Sequence, residues 1–116
     1  MNTYSDSSKQ YLKGLVDIAL KNLVACGYEN LTVAGTAVSL TVPAEAQYAL
    51  IGVESTIPTP AIRYLELGDK TLPTSTVGLF RSNGEYLDVT GYANLKNFRA
   101  IQIAAGTHNL CVQYYK

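Results

Sequence analysis

The period of the apolar positions changes at Gly27. Before it, Leu12, Leu15, Val16, Ala19 and Leu23 recur at the spacing of one helix face, and Lys13, Asp17 and Lys21 fall on the opposite side. Ser7 and Gln10 match a capping box, Asp6 adds a negative charge near the helix amino end, and Gly27 is suited to the left-handed residue that ends a helix. This pattern predicts a helix from Ser8 to Cys26. Tyr11, Ile18 and Leu20 widen its apolar face beyond the ~100° stripe that one-sided packing needs. Such a face fits either two contacts, one with the chain's own sheet and one with a neighbouring subunit, or a groove within its own domain.

After Gly27 the period becomes two. Ala49, Ile51 and Val53 share one side, as do Leu65 and Leu67, Leu87 and Val89, Ile101 and Ile103, and Leu110 and Val112. Gly, Pro, Asn and Asp punctuate these runs. The predicted strands are Tyr28–Ala34, Ala37–Val42, Tyr48–Ser55, Ile62–Leu67, Gly78–Phe80, Glu85–Thr90, Phe98–Ala104 and Asn109–Tyr115. Pro43 ends one run, Gly68-Asp69 and Asn83-Gly84 read as hairpin dipeptides, and the stretch from Pro58 to Thr76 reads as loops around one strand. The fold expected is mainly β, a jelly-roll-like β-sandwich of seven to eight short antiparallel strands preceded by one α-helix. Residues 1–27 form the helical segment and residues 28–116 the β domain.

At 116 residues the chain fits one domain with a core of its own. Only 16% of residues are charged, against about 25% in an ordinary soluble domain, which suggests a surface that is covered or repeated in an assembly. Nine basic residues cancel nine acidic ones and no basic run exists, which argues against nucleic acid or an anionic membrane as partner. The first residues carry no secretory pattern, and charges interrupt the apolar stretch from Leu12 to Cys26, so a cytosolic origin is expected. That origin favours two thiols for Cys26 and Cys111, with a disulfide left open.

Catalytic chemistry finds little support. His108 is the sole histidine and falls in a predicted turn; one histidine cannot supply a zinc or cupin-type metal set, and no base is assigned to any serine. Glu54, Glu66, Glu85 and Asp88 qualify for glycoside hydrolysis by residue type alone. The expectation is therefore no enzyme, no metal and no cofactor. Nine tyrosines against two phenylalanines and no tryptophan suit either strands or a contact surface, and tyrosines stacking on sugars keep a glycan-binding alternative open.

One resemblance bears on function. Leu40-Thr41-Val42-Pro43-Ala44, Tyr48-Ala49-Leu50-Ile51 and Ile62-Arg63-Tyr64 form the first half of a pattern. Its second half runs through Pro73-Thr74, Gly78, Asn83-Gly84, Leu87, Gly91, Asn94-Leu95 and Phe98-Arg99-Ala100-Ile101 to Val112-Gln113-Tyr114-Tyr115. From Gly27 to Lys116 this resembles a group of small all-β virion structural proteins of tailed bacteriophages. The resemblance implies a virion protein made in the host cytoplasm, expected to decorate the head by binding the major capsid protein or other virion proteins. The alternative is a head–tail connector, tail or fibre component that binds a receptor or glycan. A dimer or trimer is expected. The anchoring surface expected is the helix face of Leu12, Leu15, Val16, Ala19 and Leu23, with Arg63, Tyr64, Arg99, Tyr114 and Tyr115 as further interface residues.

Overall fold

A computed structural model describes residues 22–116. Eight strands follow one another: β1 (Ala25–Val33), β2 (Val38–Ser39), β3 (Tyr48–Ser55), β4 (Ile62–Leu65), β5 (Leu79–Arg81), β6 (Tyr86–Thr90), β7 (Arg99–Gln102) and β8 (His108–Tyr115). A short helix, α1 (Tyr92–Asn97), joins β6 to β7, and a 3-10 turn covers Gly68–Lys70. The strands form two four-stranded antiparallel sheets, ordered β1-β8-β3-β6 and β2-β7-β4-β5.

Alternation in sequence becomes alternation in burial. In β3, Ala49, Ile51 and Val53 are buried while Leu50 and Glu54 are exposed. Leu87 and Val89 of β6 and Leu110, Val112 and Tyr114 of β8 turn the same way, as period-two geometry requires of neighbours in register. The second sheet contributes Ile62 and Tyr64 of β4 and Ala100 of β7, together with Phe98, whose ring stacks on Tyr64 at 5.7 Å. Residues of both sheets thus share one apolar cluster. Each fully buried Ile, Leu, Val or Phe there contributes roughly 1.5–3 kcal/mol of burial.

Connections are fixed by local chemistry. Gly91, at φ 99°, turns the chain into α1, whose buried Leu95 joins the core while Asn94 donates its amide to the Thr90 carbonyl at 2.9 Å. Arg63 donates to the carbonyls of Ser75 (3.1 Å) and Gly78 (2.8 Å), and so straps the long loop before β5 to its own strand. Buried Pro73 holds that loop from within.

Several expectations are corrected. Ser8–Lys21 lies outside the described residues, but the predicted helix does not extend to Cys26: β1 already begins at Ala25, and the backbones of Val24 and Lys116 exchange two hydrogen bonds of 2.9 Å. Gly27 is no helix cap; a bulge shifts the β1 register between Ala25 and Gly27. Leu65, Ile101 and Ile103 are only half-buried, because Ile62, Tyr64, Phe98 and Ala100 take the inward positions. Asn83-Gly84 makes no hairpin: the turn from Ser82 to Glu85 carries the chain from one sheet to the other, with Gly84 at φ 83°. The helix over Tyr92–Asn97 was not expected at all.

Candidate functional site

The outer face of the β1-β8-β3-β6 sheet holds a groove of about 570 Å³. Its centre is Gly52, paired to Cys111 on one side and Tyr86 on the other. The Tyr86 ring leans over this glycine, and a Cβ at Gly52 would stand 3.1 Å from Tyr86 Cε1. Across the sheet, Tyr28 of β1 forms the opposite wall. The two tyrosines are 63% and 67% exposed, more than any other described aromatic residue, although strand tyrosines ordinarily lay their rings against neighbours.

The polar lining is held in place by bonds within the fold. Beside Tyr28, the Cys111 thiol donates to Glu54 Oε1 at 3.0 Å. The Glu54 bond, aided by burial, pushes the thiol pKa up, so it stays protonated near neutral pH and is a poor nucleophile. In the crossing turn, Asn83 Oδ1 accepts the Ser55 N–H at 3.0 Å and Glu85 Oε1 accepts the Ser82 N–H at 2.5 Å. Gly84 N–H is bound to the Val53 carbonyl at 2.8 Å, fixing the turn against the end of β3. Glu54, Glu85, Asn83 and Gln113 therefore stand around Leu50, Gly52 and Cys111, and among the described residues no lysine or arginine lines the groove.

Ser55 and His108 form a second constellation. They are register partners on β3 and β8, with Ser55 Oγ 2.8 Å from His108 Nδ1 and His108 Nε2 2.8 Å from the Ala104 carbonyl. A carbonyl only accepts, so Nε2 carries a proton, and in the neutral ring Nδ1 accepts the serine hydroxyl. This is the geometry of a nucleophile, a base and an orienting group. The ring, however, has no exposed surface, and Gly106 folds so closely over it that a Cβ there would lie 3.3 Å from the imidazole. The imidazole is therefore sealed from solvent, while Ser55 is half-buried. The pair fastens the ends of β3 and β8 to the loop before β8, and His108 is a strand residue rather than the turn residue expected.

The remaining sequence-predicted residues disperse. Leu12, Leu15, Val16 and Ala19 lie outside the described residues, and Leu23 is half-buried ahead of β1. Tyr64 and Tyr114 are core residues, 6% and 1% exposed, which removes them from any surface. The Tyr114 hydroxyl donates to Glu29, which also accepts the Thr41 N–H at 2.8 Å. Arg63 is spent on its loop and packs 5.3 Å from the Phe80 ring centre. Arg99 binds the Lys96 and Phe98 carbonyls and meets exposed Asp69 at 3.4 Å, a pair worth little in water. Tyr115 packs against Tyr48, centroids 5.7 Å apart, on the outer face. Cys26 and Cys111 are both thiols.

The free edge of the second sheet and the loop before it also expose apolar side chains. Leu79 and Phe80 of β5, at the free edge of the second sheet, are 56% and 52% exposed, and Leu67, Leu72 and Val77 of the preceding loop are 51%, 45% and 47% exposed. None of these five was anticipated as contact surface. The sequence signal was the run Val77-Gly78-Leu79-Phe80, apolar throughout and too short to be buried on both faces. Among the described residues, no cluster of three or more His, Cys, Asp or Glu is placed to hold a metal, and no helix is long and apolar enough to cross a membrane. No family model, curated protein or solved structure matches the chain.

Proposed function

We propose that the chain is a structural component of a tailed-bacteriophage particle, a head-decoration protein that works by binding the outside of the capsid and not by catalysis. The fold proposed with it is a jelly roll. β1 neighbours β8, β2 neighbours β7, β3 neighbours β6 and β4 neighbours β5, which is the pairing of one long hairpin wound on itself into two sheets. Jelly rolls serve viral capsid and lectin domains alike, so the strand order supports the fold and leaves function to the surface.

The observation that carries the function is the apolar edge around Leu79 and Phe80. An edge strand presents unpaired N–H and C=O groups, and natural proteins ordinarily blunt such edges with charge or proline. Here β5 carries two large exposed apolar residues followed by Arg81, whose guanidinium lies 5.6 Å from the Tyr64 ring centre. That is a surface built to be covered. Its occupants in this reading are the major capsid protein and, across the same edge, further copies of the chain as a dimer or trimer. Each contact is small, but many identical contacts on one shell act together. The apolar positions Leu12, Leu15, Val16 and Ala19, which the sequence spaces as one helix face, are a second proposed anchor, separable through a Leu15→Asp variant.

Quantitative mass spectrometry of purified particles tests the location. A copy number comparable to that of the capsid subunit fits head decoration; a number limited to the symmetry of one vertex fits the connector, tail or fibre alternative. The surface is tested by Leu79→Asp with Phe80→Asp. Lost attachment with an unchanged melting temperature is expected, and attachment equal to the parent chain would sink the edge as the binding surface.

A further inference from the structure

The groove at Gly52 lies on the β1-β8-β3-β6 sheet, whereas the apolar edge belongs to the other sheet, and capsid attachment leaves the groove without a role. We propose that it is a saccharide-binding site, taking a neutral carbohydrate whose ring packs on the exposed faces of Tyr28 and Tyr86.

Three features select this ligand class. First, two exposed tyrosine rings flank the floor, and the C–H faces of a sugar ring pack on aromatic faces while its hydroxyls point outward. Gly52 sets the angle of one ring: its missing Cβ lets Tyr86 settle over β3, and at 67% exposure that ring keeps its outer face open to a ligand. Second, the rim is made of groups that read hydroxyls. Asn83 and Glu85 each accept a backbone N–H through one side-chain oxygen, which fixes the side chain at the rim and leaves a second polar atom, an amide N–H2 or a carboxylate oxygen, to meet a ligand. Glu54 is fixed in the same way by Cys111, and Gln113 adds a donor and an acceptor. A site fixed before the ligand arrives loses little to ordering. Third, among the described residues the lining holds two carboxylates and no cation. Sialylated, sulfated and phosphorylated glycans, and nucleic acid, meet like charge there, whereas a neutral polyhydroxyl ligand donates to both carboxylates. The volume of about 570 Å³ is that of an ordinary small-ligand site.

The inference does not depend on the proposed place in a particle. On a particle carrying many copies, weak sites would add by avidity and hold the virion to a polysaccharide surface.

The test is a glycan array carrying neutral and anionic oligosaccharides, probed with the full chain and followed by titration of any hit in solution. Binding confined to neutral saccharides is expected, weakened about tenfold or more in both Tyr28→Ala and Tyr86→Ala. Gly52→Ala, whose methyl group would stand 3.1 Å from Tyr86 Cε1 and displace that ring, is expected to weaken it with the two tyrosines intact. The Leu79→Asp/Phe80→Asp variant is expected to bind saccharide like the parent chain, which keeps failure of the edge distinct from failure of the groove. Circular dichroism of each variant verifies folding. A blank array, binding only to anionic glycans, or hits untouched by both tyrosine variants would overturn the proposal. So would a shift in sedimentation caused by Tyr86→Ala alongside a blank array, because the face would then join copies of the chain.

Discussion

Tyr114 shows how one hydroxyl is held inside an apolar core. Its ring is 1% exposed, and its O–H donates to Glu29, itself bound by the Thr41 N–H. Removing the hydroxyl takes a donor from a half-buried carboxylate, a loss of roughly 1–3 kcal/mol. Tyr114→Phe is therefore expected to lower the unfolding free energy by that amount, read as a lower urea midpoint at unchanged m-value. The same contacts predict alkaline behaviour. Burial and then the Glu29 bond and charge raise the Tyr114 pKa, while burial and then the charge and hydrogen bond of Asp88 raise that of Tyr48 to about 12. In the unfolded chain both phenols titrate near 10. Above that pH the unfolded chain loses protons that the folded chain keeps, so unfolding becomes easier. Stability from these groups is complete below about pH 10 and is lost as the pH climbs through the raised folded values. Denaturant midpoints measured across that range should stay level and then fall, and the fall should be shallower in Tyr48→Phe.

Among the elements, the connections are more individual than the strands. Gly84 and Gly68 both sit at positive φ, 83° and 62°, but their surroundings differ. A Cβ at Gly84 meets nothing within 4 Å, whereas one at Gly68 would stand 2.8 Å from Asn97 Oδ1. Gly84→Ala should cost about 1 kcal/mol, the backbone penalty alone. Gly68→Ala should cost more, because Asn97 and the end of α1 must also move. Thermal melts of the two variants decide it, and equal losses would show that Asn97 yields freely. The strands themselves were legible: β3 falls on its predicted bounds, and the other seven lie within or beside theirs. Alternation of Ala49, Ile51 and Val53 against exposed neighbours leaves little choice of phase. In β4 and β7 apolar residues fill both phases, so Leu65 and Ile101 competed with Ile62, Tyr64 and Ala100, and only packing chose between them. Helix α1 offered one buried apolar residue, Leu95, in six positions, too little for a period to show.

For the whole molecule, the topology places the first and last strands side by side. Leu31 pairs with Leu110 and Glu29 with Val112. Bringing such distant segments together costs loop-closure entropy before any contact repays it, and sheets of this kind fold in roughly milliseconds to seconds. Stopped-flow refolding is expected to fall in that range, and refolding in microseconds would contradict the assigned pairing. The same topology puts its two candidate surfaces on different sheets, the tyrosine groove outside β1-β8-β3-β6 and the apolar edge at β5.

The sequence by itself determined where the chain extends and turns, because alternation, β-branched residues and turn-forming glycines, prolines and asparagines act over a few neighbours at a time. Which strands pair, which face of β4 and β7 turns inward, and whether a tyrosine is core or wall were decided by tertiary structure alone. Tyr28 and Tyr86 are 58 positions apart in the numbering and share one groove only because β8 and β3 lie between their strands. Tyr64 and Tyr114 have the same side chain and a similar local setting, yet they are sealed inside. Burial is a property of what lies opposite a residue in space, and no local pattern carries that information.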